Sequence, residues 1–208
     1  YDEVEWVFDV QPMPMGFVAL GNAQGSPVLL RLDGDGEVLW ARRYPEMSDQ
    51  PIAIDLLSDG GFVMVSNEAL SGRDAEVARL AADGSPLWIK AFGAGYLPNE
   101  HISWGCNVLL QESENAVYVL APTVSGGIGG EGILLLKLSL TDGAITWSRA
   151  IGSPGDDLGR DLILAGDDIV LLGSSDGFGG LAADHPDELT EDMDEQDVLL
   201  LRMSSAGF

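Results

Sequence analysis

The stretch Leu134-Leu-Leu-Lys-Leu-Ser-Leu-Thr-Asp-Gly-Ala-Ile-Thr-Trp147 has two earlier counterparts in the chain. They are Val28-Leu-Leu-Arg-Leu-Asp-Gly-Asp-Gly-Glu-Val-Leu-Trp40 and Val77-Ala-Arg-Leu-Ala-Ala-Asp-Gly-Ser-Pro-Leu-Trp88. A further copy begins at Val198 and runs through Arg202 to Gly207 and Phe208. A glycine stands four places before each tryptophan, at Gly36, Gly84 and Gly143, and Gly207 holds the same place in the last copy. Self-similarity of this kind marks a protein built from one stacked structural unit.

Each copy reads as a hairpin: an apolar, β-prone run, a turn rich in Gly and Asp, then a second run carrying the tryptophan. In the first runs apolar residues occupy successive positions, as in Leu29-Leu30 and Leu199-Leu200-Leu201. That pattern predicts strands buried on both faces. A second hairpin precedes each of these. Strand 4–10 turns through Pro12 to Met15 into 17–21. Strand 52–57 turns at Ser58-Asp59-Gly60-Gly61 into 62–66, 102–110 turns near Glu114-Asn115 into 117–120, and 162–164 turns at Gly166-Asp167-Asp168 into 169–173. Two hairpins make a unit of four strands, a to d. Four-stranded antiparallel units, each sandwiched between its neighbours, are the blades of a β-propeller. The sequence therefore predicts an all-β, single-domain β-propeller over 1–208, with blades at about 3–43, 50–91, 102–149 and 157–208. The last strand d is missing from the fourth blade, which predicts that these blades belong to a larger ring, or that a partner chain completes it.

The interval between the anchor glycines lengthens along the chain, and the added residues fall between strands b and c. Up-and-down strands place the b–c and d–a connections on one rim. The longest, 181–197, holds Asp184, Asp187, Glu188, Glu191, Asp192, Asp194, Glu195 and Asp197. Long connections of this composition are either solvated insertions or binding lids.

Ten basic residues face 34 acidic ones, for a net charge of −24. This excludes nucleic-acid binding, which needs a basic surface, and adsorption on anionic lipid. It favours cations or basic partners. No apolar run approaches the ~18 residues of a membrane span, so membrane insertion is not expected. All the basic residues except Arg43, Arg73 and Arg160 sit at repeat positions: Arg31, Arg79, Lys137 and Arg202 before the glycine, and Arg42, Lys90 and Arg149 two places after the tryptophan. That regularity predicts structural work, as local ion pairs or as stems packed between blades.

The stretch 132–180 resembles the bacterial seven-bladed β-propeller repeat family. The resemblance rests on Lys137-Leu138, Gly143, Trp147, Gly152, Gly155-Asp156-Asp157, Gly159, Gly173 and Ser174. It extends to 27–67 without the Gly-Asp-Asp stretch, and 96–102 replaces that stretch in the third unit. The Gly-x-x-x-Trp hairpins are distantly similar to those of quinoprotein-like propellers. The resemblance implies a bacterial protein at the cell surface, in the periplasm or outside the cell, and it brings no catalytic residue.

The chemistry on offer is sparse. Asp33-Gly34-Asp35-Gly36-Glu37 resembles part of a calcium loop, but the full loop is absent and a hairpin turn is the expected reading. Asp156 and Asp157 are adjacent on a strand and point to opposite faces; one of them is expected to cap turn amides or to pair with Arg160. Cys106 is single, which rules out an intrachain disulfide, and lies in an apolar stretch where a buried thiol is usual. His101 and His185 are isolated. No catalytic, cofactor-binding or metal-binding residue is assigned, and calcium is the one cofactor with any pattern behind it. Two functions follow. One is a non-enzymatic scaffold or binding module that holds a protein or glycan on the loop-rich rim. The other is a propeller enzyme, quinone-dependent or acting on carbohydrate, marked by charged groups meeting on the central axis.

Overall fold

The computed structural model describes residues 4–47, 50–68, 73–92, 107–123, 131–176 and 197–205. Fifteen strands in these segments form four antiparallel sheets. The first contains β1 (Val4–Met13), β2 (Gly16–Ala23), β3 (Pro27–Leu32) and β4 (Val38–Arg43). The second contains β5 (Gln50–Leu56), β6 (Phe62–Glu68), β7 (Arg73–Leu80) and β8 (Pro86–Phe92). The third contains β9 (Asn107–Gln111), β10 (Ala116–Thr123), β11 (Gly132–Ser139) and β12 (Ile145–Ile151). The fourth contains β13 (Asp157–Ala165), β14 (Asp168–Ser175) and β15 (Asp197–Ser204). In every sheet, spatial order is chain order.

The turns follow the local chemistry. Gln24 and Gly25 both have positive φ and close a two-residue loop between β2 and β3, with Ala23 and Ser26 bonded across it. Asp33 Oδ1 accepts the N–H groups of Asp35 and Glu37, which explains the calcium-like stretch as a self-capped hairpin turn. Asp59 and Asp142 cap their turns in the same way.

Each sheet packs face to face on the next. The innermost strands follow one another, β1 on β5, β5 on β9 and β9 on β13. Three apolar clusters fill the three interfaces. Leu20, Leu29, Phe62 and Met64 lie between the first and second blades, Val65, Val77, Val119 and Leu136 between the second and third, and Leu120, Leu135, Ile169 and Leu171 between the third and fourth. Sheets stacked radially around their first strands are the blades of a β-propeller, and the chain is an all-β protein of this architecture. Burying apolar side chains on both faces is what stabilises a sheet that has no helix to cover it. In the fourth blade the expected two-faced burial fails. Leu199 is buried but Leu200 is 67% exposed, because no described element packs on that face.

Bonds at the ends of the strands place the b–c and d–a connections together, as the alternating strand direction requires. Tyr44 N–H donates to Pro27 O, Asp157 N–H to Glu131 O, and Asp176 N–H to Asp156 O.

Candidate functional site: the blade interfaces and the axis

The repeated tryptophans meet the next blade, not their own turn glycines. Trp40 of the first blade packs on Phe62 of the second, edge to face at 6.3 Å between ring centroids. Its ring also lies over Gly84, where an added Cβ would stand 3.1 Å from Trp40 Cη2. Trp88 lies over Gly143 of the third blade in the same way, 3.0 Å from Cε3, and its Nε1 donates to Leu140 O at 3.1 Å. Trp147 Nε1 donates to Ser205 O of the fourth blade at 3.4 Å. The anchor glycine therefore serves two ends. Its positive φ (+78° at Gly84, +70° at Gly143) closes the turn, and its missing side chain admits the preceding blade's indole.

A bulge aims each tryptophan. Arg31 faces Trp40, Arg79 faces Trp88 and Lys137 faces Trp147 across the sheet, and register slips immediately afterwards. The extra residues, Leu39, Leu87 and Thr146, are exposed. The basic residues opposite the tryptophans then reach carbonyls. Arg79 Nη1 donates to Leu140 O of the next blade at 3.0 Å. Lys137 Nζ donates to Ser205 O of the next blade at 3.0 Å and to Glu114 at 2.7 Å, 5.3 Å from the Tyr118 ring centre. Arg31 instead binds carbonyls of its own blade, Phe17, Leu32 and Met15, and Arg202 pairs with Asp168. Lys90 lays its stem against Gly143, and Arg149 stands 5.9 Å from the Trp147 ring centre. These residues hold the blades and their interfaces together. Tyr44 adds a buried bond that the repeat does not announce: its hydroxyl donates to Gly84 O at 2.8 Å, and burial pushes its pKa well above the usual phenol value.

On the inner strands, side chains cap the open strand edges. An innermost strand has no sheet partner on the axis side, so its N–H groups need other acceptors. Asp9 Oδ2 accepts Ile54 N–H at 3.0 Å, and Asp55 Oδ2 accepts Leu110 N–H at 3.1 Å. Asn107 donates to Asp161 at 2.6 Å. Each of these contacts ties one blade to the next. Burial holds the Asp55 carboxyl above its usual pKa against two backbone hydrogen bonds, and the charges of Asp9 and Glu112 add to the rise. Glu112 in turn accepts Ser58 N–H at 2.8 Å and its hydroxyl at 2.6 Å, again across two blades.

Asp157 is fully buried where the d–a connection enters β13, whereas Asp156 is exposed. Asp157 Oδ2 accepts Ser153 N–H, and Asp156 Oδ1 accepts Glu131 N–H at 2.8 Å, so both carboxylates cap backbone amides. Asp157 Oδ1 is buried without a hydrogen-bond partner among the described residues. Those residues hold no group of three or more metal-ligating side chains suited to an ion. His101, Cys106, His185, Gly207 and all of the acidic segment 181–197 but Asp197 lie outside the described residues.

What fold and interfaces define is a β-propeller whose blades are joined in one direction, each strand-d tryptophan reaching the next blade, at two interfaces onto that blade's turn glycine. No family model and no curated protein matches the chain. Solved structures similar to it include BamB from Moraxella catarrhalis, with a TM-score of 0.49 and 16% identity over 79% of this chain and 44% of that one. Another is a luciferin-regenerating enzyme, with a TM-score of 0.34 and 10% identity over 95% of this chain and 76% of that one. The chain thus spans less than half of the BamB chain.

Proposed function

We propose that the chain is part of a β-propeller of the bacterial seven-bladed repeat type, working as a non-enzymatic scaffold or binding module. Its place would be the cell surface, the periplasm or the extracellular space, and further blades would complete its ring. The observation that carries this reading is the use of the axial carboxylates. Asp9 and Asp55 accept backbone N–H groups of the following blade, and Asp161 is bonded to Asn107. Acid–base or hydrolytic chemistry needs carboxylates directed at a substrate, whereas these are directed at the protein. No helix among the described residues is long and apolar enough to cross a membrane.

The partner would sit on the rim of b–c and d–a connections, where Glu131, Asp156 and Asp176 lie together. With a net charge of −24, a basic protein or a cationic glycan is the favoured class. The test is binding of the immobilised chain to a panel of basic proteins and glycans at low and physiological salt. Salt-sensitive binding, weakened by Glu131→Gln with Asp156→Asn and Asp176→Asn, is expected. Turnover of a glycoside, or quinone-coupled dye reduction, would establish the enzyme reading instead.

A further inference from the structure

Asp157 has one carboxylate oxygen that the fold leaves uncompensated. The residue is 0% exposed and opens β13. Its Oδ2 accepts Ser153 N–H, but its Oδ1 has no hydrogen-bond partner among the described residues. A buried carboxylate oxygen in that state is costly, and either a donor or a cation removes the cost. The surroundings are polar and equally buried. Ser175, 1% exposed, stands directly opposite Asp157 on β14, and opposed residues share a face of the sheet. Its hydroxyl donates to Ser153 Oγ at 3.4 Å, and Ser153 is itself 3% exposed. Gly152 brings bare backbone up to the same group, since an added Cβ there would stand 3.2 Å from Asp157 Oδ2 and 3.7 Å from Gly132 Cα. The blade architecture does not demand this polar arrangement. On the same rungs of the first blade, Val4 faces Ala23.

We infer that Asp157, Ser153 and Ser175 form a binding site for a calcium ion, where the d–a connection enters the fourth blade and β14 ends. Calcium takes roughly six to eight hard oxygens, neutral as well as anionic. Asp157 Oδ1 supplies the charge, the two hydroxyls supply neutral oxygens, and backbone carbonyls and water complete the shell. With a single carboxylate the site is not a cluster of acids, and it belongs to the weak class of calcium sites, with a Kd of about 10⁻⁴–10⁻³ M. The neighbouring Asp156 is exposed and engaged elsewhere, on Glu131 N–H. The ion ties Ser153 of the d–a connection to Ser175 at the end of β14, so it fastens the rim from beneath. The inference does not depend on what the rim binds, and the failure of either leaves the other standing.

The experiment titrates the 15N-labelled 208-residue chain, cleared of metal with EDTA, with CaCl2 at physiological salt. Saturable shifts of the Ser153, Asp157 and Ser175 amides are expected, half complete at about 10⁻⁴–10⁻³ M. Asp157→Asn keeps an acceptor for Ser153 N–H but removes the charge, and should weaken binding by about tenfold or more. Ser175→Ala should weaken it with the charge untouched. Asp167→Asn, an exposed charge at the opposite end of the same strand pair, should leave it unchanged. Equal affinity in the wild type and Asp157→Asn, or an equal response to MgCl2, would give the ion to the diffuse field of the acidic surface and overturn the site. Absence of shifts at these three amides would give Asp157 Oδ1 to water and overturn it as well. Should Asp157→Asn not fold, Ser175→Ala decides, and undiminished calcium affinity in that variant overturns the site.

Discussion

The glycines before the tryptophans offer an internally controlled test of blade joining. Gly36, Gly84 and Gly143 all have positive φ, so alanine at any of them pays the left-handed backbone penalty of about 1–2 kcal/mol. Only two of them face an indole. At Gly84 the new methyl would lie 3.1 Å from Trp40 Cη2, 3.3 Å from Cζ3 and 3.1 Å from the Tyr44 hydroxyl oxygen. Tyr44 is bonded to the carbonyl of that same glycine and cannot back away freely. Overpacking of this kind costs about 1–3 kcal/mol. Gly84→Ala should therefore cost about 2–5 kcal/mol and Gly36→Ala only the backbone share. Gly143→Ala should match or exceed Gly84→Ala, since its methyl would meet Lys90 Cγ at 2.9 Å and Trp88 Cε3 at 3.0 Å. Urea unfolding followed by far-UV circular dichroism measures all three on one scale. In a Trp40→Ala background Gly84→Ala should cost less than in the wild type, because the clash with the ring is gone and only that with the Tyr44 hydroxyl remains. If Gly36→Ala costs as much as Gly84→Ala, the tryptophan contact is not what the glycine serves, and the account of blade joining is wrong.

Tyr44→Phe should cost about 1 kcal/mol or somewhat more, the price of leaving Gly84 O without its buried donor. Burial raises the folded-state pKa of Tyr44, so the stability gained by burying the neutral phenol is fully present below the unfolded value of 10.0 and is lost as pH rises above it. An alkaline denaturation midpoint that moves upward in Tyr44→Phe would show this. Lys137→Met should destabilise by about 1–3 kcal/mol, because it strips a donor from Ser205 O and a partner from Glu114. The Lys137 bond lowers the Glu114 pKa below its usual 4.5, so this share of stability is present above that value and is lost as pH falls through the folded one. Thermal melts of wild type and Lys137→Met should therefore converge toward acid pH, and curves that stay parallel down to the acid limit would refute the pairing.

The blades could be read in the sequence because the Gly-x-x-x-Trp hairpins are short-range patterns with a mechanism. The strands found for the first three copies coincide with the hairpins that the glycines mark. What the glycines and tryptophans do for each other could not be read there. Trp40 stands four places after Gly36 but packs on Gly84, a partner one repeat away, and nothing in a linear pattern reveals which copy supplies the contact. The regular placing of basic residues signalled structural work, yet Arg79 and Lys137 reach the next blade while Arg31 turns back on its own. The axial caps were hidden for a different reason. Asp9, Asn107 and Asp161 hold one register position opposite Leu20 and Leu120 of their blades and Leu172 of the last, but a bulge beside Asp9 and another beside Asp161 shift these two from the spacing that alternation leads one to expect.

Those inner-strand bulges act like punctuation in a reading frame. Phe8, Ile52 and Arg160 are unpaired extra residues of β1, β5 and β13 at the same register in all three blades, and β1 has a second one at Glu5. Side chains alternate strictly along a strand, so one extra residue exchanges the two faces on either side of it. In β13 this lets buried Asp157 and exposed Asp161, four residues apart, point to opposite sides of one strand. Deleting Arg160 alone would leave a strand of ordinary length but put one half out of frame, with either the carboxylate at the rim or the one at the axis on the wrong side. Lengthening a rim connection would shift no frame at all. Change in chain length is therefore tolerable in the b–c connections, where this chain has accumulated it, and not in the strands that line the axis.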